Sequence, residues 1–223
     1  MTSVTVLPSG DVPGAERVWT IVVAGGTGER FGAPKQYEPL DEGRRVIDVS
    51  RQVAERASDG VVVVVPAADA EREHGVAGGA TRSESVRRGL AAVPAEATII
   101  CVHDAARPLA SAALYGRVVD AIRDGADGAV PGVPVTDTVK VVDGSDVTAT
   151  LDRTTLVAVQ TPQAFRAAML RAAHGQGGSA TDDSALVEAM GGRVVVVAGE
   201  PTNRKITEPD DLEWARRTIG AST

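Results

Sequence analysis

Short apolar runs alternate with amphipathic segments along most of this chain. The runs Val18–Val23, 61–65 and 98–102 are rich in Val and Ile, which predicts strands buried on both faces. Apolar side chains at helical spacing predict a helix over Val46–Ala57, between the first two strands. This alternation is typical of an α/β fold with a Rossmann-like, mostly parallel sheet and helices on both faces.

The same patterns continue toward the carboxyl terminus. Thr81 and Glu84 have the spacing of a capping box, and Ser111 is a good N-cap residue. Further helices are predicted over residues 81–90, 111–123, 182–190 and 209–219, and further strands over 129–135 and 193–198.

One segment, residues 136–159, departs from the strand–helix alternation. Two β-rich runs flank the turn Asp143-Gly144-Ser145-Asp146, which predicts a hairpin. An isolated hairpin is marginally stable in water, so this arm needs to pack on the parent domain or on another subunit.

A glycine-rich loop follows the first predicted strand and is the most informative stretch of the chain. It reads Ala24-Gly25-Gly26-Thr27-Gly28-Glu29-Arg30-Phe31-Gly32-Ala33-Pro34-Lys35. Phe31 stands where the dinucleotide fingerprint needs its third glycine, and no Gly-Lys-Ser/Thr follows as in a P-loop. Accessible backbone N–H groups beside Arg30 and Lys35 favour a phosphate site over an ordinary strand-to-helix turn.

Two later loops also follow predicted strands or open predicted helices. Residues 78–85 combine glycines, hydroxyls and Arg82 at a helix N-terminus, which suits a nucleotide or a simple capped turn equally. In residues 103–108, Asp104 can hold Mg²⁺ on substrate phosphates or merely cap a turn. His103 is interpreted as a hydrogen-bonded structural residue.

Composition excludes several classes of protein. A net charge of −7 over 223 residues argues against nucleic acid as a partner. The single cysteine, Cys101, lies in an apolar run and predicts a buried core thiol. With no apolar run long enough to cross a bilayer and no signal-peptide pattern, we expect a cytoplasmic protein without membrane contact, and a flexible tail over residues 1–17.

Eight short motifs occur in one order and identify a family resemblance. They are Arg30 with Lys35, Arg82 to Ser85, His103 to Pro108, Asp137-Thr138-Val139-Lys140, Asp152-Arg153, Gln160-Thr161-Pro162-Gln163, Thr181-Asp182-Asp183 and Lys205-Ile206-Thr207. The series closely resembles the 2-C-methyl-D-erythritol 4-phosphate cytidylyltransferases of the non-mevalonate isoprenoid pathway, over residues 19–219.

This resemblance implies a reaction and a set of site residues. It implies one nucleotidyltransferase domain over residues 18–223, of the nucleotide-diphospho-sugar transferase type, that joins CTP to the polyol phosphate, releases pyrophosphate and uses Mg²⁺. Catalytic residues would be Arg30, Lys35, Arg153 and Lys205, and Asp104 would be the metal ligand. CTP would contact Ala24, Gly25, Gly26, Thr27, Gly28, Gly79, Arg82, Ser85, Asp104 and Ala105, and the acceptor would contact Arg107, Thr138, Thr161 and Thr181.

The resemblance also implies a homodimer, in which the arm crosses to the second subunit and brings Thr138 and Arg153 to its site. Ribitol 5-phosphate cytidylyltransferases are the alternative within the same fold, but they tend to carry Ser-Val where this chain has Ala105-Ala106. A non-catalytic nucleotide-binding protein on this fold is a second alternative. Such a protein could lose the four predicted catalytic residues, yet all four are present.

Overall fold

The computed structural model describes residues 15–26, 28, 30–177 and 182–220, and it confirms the α/β architecture. Its strands are β1 (Val18–Val23), β2 (Pro39–Asp41), β3 (Arg44–Arg45), β4 (Gly60–Val65), β5 (Val76–Ala77), β6 (Ile99–Asp104), β7 (Gly128–Pro134), β8 (Lys140–Asp143), β9 (Asp146–Thr150), β10 (Val157–Val159), β11 (Gln163–Arg166) and β12 (Val194–Ala198). Its α-helices are α1 (Val46–Ala57), α2 (Arg82–Ala92), α3 (Ala112–Arg123), α4 (Ala167–Gly175), α5 (Asp183–Ala189) and α6 (Pro209–Gly220).

The central sheet is mixed but mostly parallel. Strand β1 lies in the middle, between β4 and β6, and both pairings are parallel. Strand β5 extends the sheet beyond β4, also in parallel. On the other side, β11 runs antiparallel between β6 and β7, whereas β12 pairs in parallel with the opposite edge of β7. The carboxyl ends of β1, β4 and β6 therefore lie along one edge of the sheet.

Two apolar cores cover the two faces of this sheet. Alternate side chains of the central strands point to opposite faces, so Val22 and Cys101 pack under α1 and α3, while Ile21 and Val102 pack under α2 and α4. Burial raises the pKa of the Cys101 thiol to about 12, in agreement with the predicted inert core cysteine. The predicted covering of both faces by helices is confirmed.

A smaller third core lies at the N-terminal end of α1. Ile206 packs there with Leu40, Val46 and Leu212. It joins the segment before α6 to the short hairpin β2–β3 and to the start of α1. This hairpin was absent from the sequence prediction, as were β5, β10, β11 and α4, because short strands and Ala-rich helices have weak hydrophobic periodicity.

Predicted element bounds mostly lie within one or two residues of those observed, and the end of one strand and one helix cap show why they differ. Strand β6 continues through Asp104, where the prediction ended it at Val102, because β1 offers a parallel partner as far as Val23. The capping-box prediction is half correct. The Thr81 hydroxyl accepts from the Glu84 N–H at 3.1 Å, but the Glu84 carboxylate accepts from the Ala80 N–H rather than from that of Thr81.

The predicted hairpin is present as the antiparallel pair β8–β9. Its side chains remain largely in solvent, with Val142 58% and Val147 60% exposed. Leu151 and Val157 beside the hairpin are also exposed. The apolar surface of the arm is thus left uncovered by the described part of its own chain.

Two remaining features bear on the sequence predictions. Of the predicted flexible tail, residues 1–14 lie outside the described residues. None of the helices in the described ranges is long and apolar enough to cross a lipid bilayer.

Candidate active site

A cleft of about 460 Å³ opens at the carboxyl ends of β1 and β6. This is the position at which open α/β sheets bind their ligands. Twelve of the predicted site residues line it: Ala24, Gly25, Gly26, Gly28, Arg30, Lys35, Gly79, Arg82, Ser85, Asp104, Ala105 and Lys205. Residues separated by up to 181 positions in the chain therefore meet at one site.

The glycine-rich loop folds into a tight turn around Gly28. The Gly28 carbonyl accepts from the N–H groups of Phe31 and Gly32, both at 2.8 Å. Gly28 has φ of +73°, and a Cβ at this position would lie 1.9 Å from the Ala33 carbonyl oxygen. Glycine is therefore required here for both conformation and space, and the turn fixes the path of the chain toward Lys35.

A 3-10 turn over Lys35–Tyr37 carries the predicted catalytic lysine. The buried Gln36 amide donates to the Gly26 carbonyl at 3.3 Å, which ties this turn back to the glycine-rich loop. On its other side, the Tyr37 hydroxyl donates to Asp69 at 2.8 Å, and the Arg72 guanidinium lies 4.7 Å from the ring centroid. Lys35 is thus followed directly by two anchored residues.

The second loop closes the cleft at the N-terminus of α2. The Ser85 hydroxyl accepts from the Gly79 N–H at 3.1 Å and donates to the Thr81 carbonyl at 2.9 Å. A Cβ on Gly25 would lie 3.3 Å from the same hydroxyl. The two glycine-containing loops therefore approach each other closely across Ser85, with the helix N-terminus facing the cleft.

Asp104 is the charged centre of the cleft floor. Its Oδ2 accepts from the Lys205 ammonium at 2.6 Å, and its Oδ1 accepts from the Arg82 Nε at 3.2 Å. Burial alone would raise the pKa of this carboxyl, but the adjacent Arg82 and Lys205 charges outweigh it and hold the pKa well below its usual range. Asp104 is therefore a carboxylate throughout the neutral range.

The cleft as a whole is positive, although the chain is acidic. Arg30, Lys35, Arg82 and Lys205 line it, against a single carboxylate among the described lining residues. Burial, followed by repulsion from Lys205 and Arg30, lowers the pKa of Lys35. Such crowding of cations raises the free energy of the empty site and is relieved by a polyanion.

Lys205 reaches Asp104 because the next residue is anchored. Ile206 is 1% exposed in the third core, and its N–H donates to the Ala106 carbonyl at 2.8 Å. This bond places the segment before α6 directly beside the end of β6. Burial of the Ile206 side chain and this hydrogen bond thus position Lys205 for its ion pair with Asp104.

Below the floor, Thr161 and His103 support Asp104. The Thr161 Oγ1 accepts from the Asp104 N–H at 3.0 Å and lies 3.2 Å from the His103 Nδ1. Both side chains are buried, and burial lowers the pKa of His103 to about 4. The predicted structural histidine agrees with this position. Thr161, by contrast, lies beneath the cleft rather than on its lining, so its hydroxyl fixes Asp104 instead of facing an acceptor in this conformation.

Arg107, also predicted to contact the acceptor, lies beside the cleft rather than on its lining. Its guanidinium donates to the Asn203 carbonyl at 2.8 Å and to the Val159 carbonyl at 3.3 Å. Burial lowers its pKa. The side chain therefore joins the end of the arm to the segment that carries Lys205.

Two further predicted residues, Arg153 and Thr138, are not brought to this cleft within one chain. Arg153 and Thr138 lie on the exposed arm, and Arg153 donates to the Thr136 carbonyl. Neither residue lines the cleft. Thr27 and Thr181 lie outside the described residues.

Sequence reasoning missed several lining residues and one deeper contact. Val23, Gln36 and Ala106 were not predicted as site residues but also line the cleft, as do Ala80 and Thr81 of the predicted 78–85 loop. Each adjoins a residue that was predicted, so extending the motifs by one position would have found them. The contact of Asp183 with Arg82, at 2.8 Å, had no sequence signal beyond the Thr-Asp-Asp motif itself.

Among the described lining residues, Asp104 is the one carboxylate available to a metal ion. Within the described ranges, no group of three or more His, Cys, Asp or Glu side chains is placed to hold one. A divalent cation bound by Asp104 would therefore need oxygen ligands from a substrate, which is a usual arrangement for Mg²⁺.

Fold and site together define a class: an α/β protein with a positively charged cleft at the carboxyl end of its sheet. The family model described as 2-C-methyl-D-erythritol 4-phosphate cytidylyltransferase matches residues 18–220. The chain therefore belongs to this family, as its motifs predicted.

Individual relatives agree with this membership. The chain is 45% identical to a 2-C-methyl-D-erythritol 4-phosphate cytidylyltransferase of Nocardia farcinica, over 91% of this chain and 94% of the relative. It is 48% identical to a bifunctional enzyme IspD/IspF of Anaeromyxobacter dehalogenans, over 92% of this chain, and there it spans only 58% of the relative's length. The crystal structure of 2-C-methyl-D-erythritol 4-phosphate cytidylyltransferase from Thermus thermophilus superposes with a TM-score of 0.77 at 34% identity, covering 90% of this chain and 98% of that one.

Proposed function

We propose that the cleft binds CTP and transfers its cytidylyl group to 2-C-methyl-D-erythritol 4-phosphate. An acceptor phosphate oxygen attacks the α-phosphorus, and the bond from this phosphorus to the bridging oxygen of the β-phosphate breaks. The products are 4-diphosphocytidyl-2-C-methyl-D-erythritol and pyrophosphate. Family membership supports the substrates, and the observation that carries the chemistry is the positive cleft in an acidic chain.

Charge neutralisation and positioning supply most of the catalysis in this proposal. Both reactants are anions, and negative charge crowds around the α-phosphorus as the acceptor approaches. Arg82 and Lys205 already face Asp104, whereas Arg30 and Lys35 line the cleft without an ion pair among the described residues. We assign Arg30 and Lys35 to the triphosphate, where preorganised cations stabilise the transition state.

The two glycine-containing loops are assigned to the nucleotide. Backbone N–H groups at Gly25, Gly26 and Gly28 can approach phosphates closely because no Cβ intervenes. The segment from Gly79 to Ser85 presents backbone groups and a helix N-terminus at the other wall. Such groups can distinguish the N4 amino group and O2 of cytosine from the edges of other bases.

The acceptor half of the site is proposed to require a homodimer. Arg153 and Thr138 lie on an arm whose valines are exposed, and an apolar surface of this kind is stable when a partner covers it. Crossing of the arm to a second subunit would bring both residues to the neighbour's cleft, beside Lys205. The symmetry of a two-fold dimer would then complete both sites.

Mg²⁺ is proposed as the cofactor, with Asp104 as its protein ligand. The hard carboxylate oxygens of Asp104 fit this ion when substrate phosphates complete the coordination. When bound, the ion would neutralise phosphate charge and orient the triphosphate. Arg82 and Lys205 hold the Asp104 carboxylate ready for this purpose. We also propose that the enzyme is cytoplasmic.

The direct test is pyrophosphate release by purified protein with Mg²⁺. CTP, ATP, GTP and UTP would each be combined with 2-C-methyl-D-erythritol 4-phosphate and with ribitol 5-phosphate. We expect CTP with 2-C-methyl-D-erythritol 4-phosphate to give the highest kcat/KM. A higher value for ribitol 5-phosphate would contradict the proposed acceptor, and tight CTP binding without turnover would indicate a nucleotide-binding protein instead.

A further inference from the structure

A buried series of polar groups connects the cleft to helix α4. The His174 Nε2 lies 2.9 Å from Asp183 Oδ1, and Asp183 Oδ2 accepts from the Arg82 Nη1 at 2.8 Å. Arg82 then continues the series to Asp104 and Lys205. His174 and Asp183 are 3% and 1% exposed, so neither can contact a ligand in the cleft.

Local structure does not account for this pair. Asp183 is the first residue of α5, but the N-cap is already provided by Asp182, whose carboxylate accepts from the Ala185 N–H at 3.0 Å. Within the described part of the chain, the second ring nitrogen of His174 has no hydrogen-bond partner. Among the described residues, Asp183 is therefore the one polar partner of this buried ring.

This contact determines how Arg82 is oriented. Asp183 takes the terminal Nη1, which leaves the Nε edge of the guanidinium for Asp104. Without Asp183, Asp104 would be the remaining anionic partner of Arg82 among the contacts described, and a guanidinium beside one carboxylate favours a bidentate pair. That rearrangement would rotate Arg82 on the cleft wall.

We infer that Asp183 and His174 are positioning residues for nucleotide binding: His174 orients the Asp183 carboxylate, which fixes Arg82 on the cleft wall. The inference rests on the proposed function, since it takes CTP as the ligand that Arg82 meets. It adds two residues that never touch substrate to the set that determines CTP affinity.

The first experiment separates CTP binding from acceptor binding. His174→Phe removes the N–H donor and keeps the aromatic volume, whereas His174→Gln returns an N–H near the Nε2 position. We expect His174→Phe to raise KM for CTP about 10-fold and Asp183→Asn about 10- to 100-fold, as for loss of one charge-assisted hydrogen bond. KM for the acceptor should change less than about 2-fold, and His174→Gln should recover most of the loss.

A double-mutant cycle tests whether the effect passes through Arg82. In an Arg82→Ala background, His174→Phe should cause no further loss of CTP affinity, measured by calorimetry as Kd. The control is Leu170→Ala on the same helix, a fully buried core residue that should lower Tm and be additive with Arg82→Ala. If His174→Phe lowers Tm like Leu170→Ala with CTP affinity unchanged, or is additive with Arg82→Ala, the pair is structural and the inference is wrong.

These outcomes remain distinct from failure of the proposed function. If the wild type binds CTP but releases no pyrophosphate, the proposed reaction is wrong, and the Kd values of the same variants still decide the inference. If the wild type neither turns over nor binds CTP, both are overturned.

Discussion

Substitution of Gly28 by alanine should remove activity through a displacement that the structure measures. The new Cβ would lie 1.9 Å from the Ala33 carbonyl oxygen, 2.9 Å from the Ala33 carbonyl carbon and 3.5 Å from the Lys35 nitrogen. Because Ala33 is two residues before Lys35, relief of this contact moves the segment that carries the lysine.

Two costs determine the magnitude. The left-handed conformation costs a residue with a Cβ about 1–2 kcal/mol. The carbonyl must also retreat by about 1 Å, and a misplacement of about 1 Å near reacting groups slows turnover by about 10²-fold. We therefore expect kcat/KM for CTP to fall about 100-fold in Gly28→Ala, whereas Tm falls by only about 2–8 °C for a chain of this size.

Gly32 provides a matched control within the same turn. Its φ is +81°, but a Cβ there would meet nothing within 4 Å. Gly32→Ala thus carries the same conformational cost without the clash, and it should lower Tm by a similar amount while kcat/KM stays within about 3-fold of wild type. The assay is pyrophosphate release at saturating acceptor with CTP varied, beside a thermal melt of each variant.

Equal kcat/KM for the two alanine variants would refute this reasoning. Equal values near that of the wild type would mean that the loop adapts around residue 28 without moving Lys35. Equal and severe losses in both would show that backbone conformation, rather than the clash, determines activity.

Three further predictions concern charged and titratable groups. Lys35→Ala should slow turnover about 10²- to 10³-fold in pyrophosphate release, since it removes a cation from a phosphate site. If the arms cross, mixed Lys35→Ala and Arg153→Ala subunits should regain about a quarter of wild-type activity after exchange, because half of the dimers carry one intact site. Burial lowers the pKa of His103 from about 6.5 in the unfolded chain to about 4, so the unfolded state binds the extra proton between these values. The contribution of His103 to the free energy of unfolding is therefore at its maximum above pH 6.5 and decreases as the pH falls toward 4. Urea unfolding should show a total loss of about 3 kcal/mol over this range.

Controls separate each of these effects from general damage. Lys35→Ala should melt near the wild-type temperature. Turnover of this variant near that of the wild type would indicate that the loop is only a structural turn. Background activity after confirmed subunit exchange would contradict the crossed arm. For the pH effect, His103→Asn should flatten the dependence of unfolding free energy on pH. Equal slopes for the variant and the wild type would disprove the assignment to His103.

Local sequence determined the elements with strong patterns. The β-branched runs formed β1, β4 and β6, and the 3.6-residue period formed α1 over the predicted range. The Asp-Gly turn formed the β8–β9 hairpin. These segments share a backbone geometry and a burial pattern that neighbouring residues specify alone. Strand β11 and helix α4 lacked such patterns, and they form because β6 and the core beneath it provide partners.

Much of the candidate site was also readable from the sequence, because its residues follow strands or open helices in a fixed order. Arg30, Lys35 and Asp104 could be placed at the carboxyl edge of the sheet once the strands were assigned. Their mutual arrangement could not. Lys205 meets Asp104 because Ile206 is buried beside Ala106, about a hundred residues away in the chain.

The tertiary structure alone decided which charges became neutralised and which remained available. Arg82 lies between Asp104 and Asp183, and His174 stands behind them, a series that joins β6, α2, α4 and α5. No local pattern encodes these contacts, since each depends on where along the sheet a helix packs. Sequence therefore indicated many of the groups that reach the cleft. Packing determined how they act on one another, because electrostatic interaction depends on distance and burial that only the folded chain fixes.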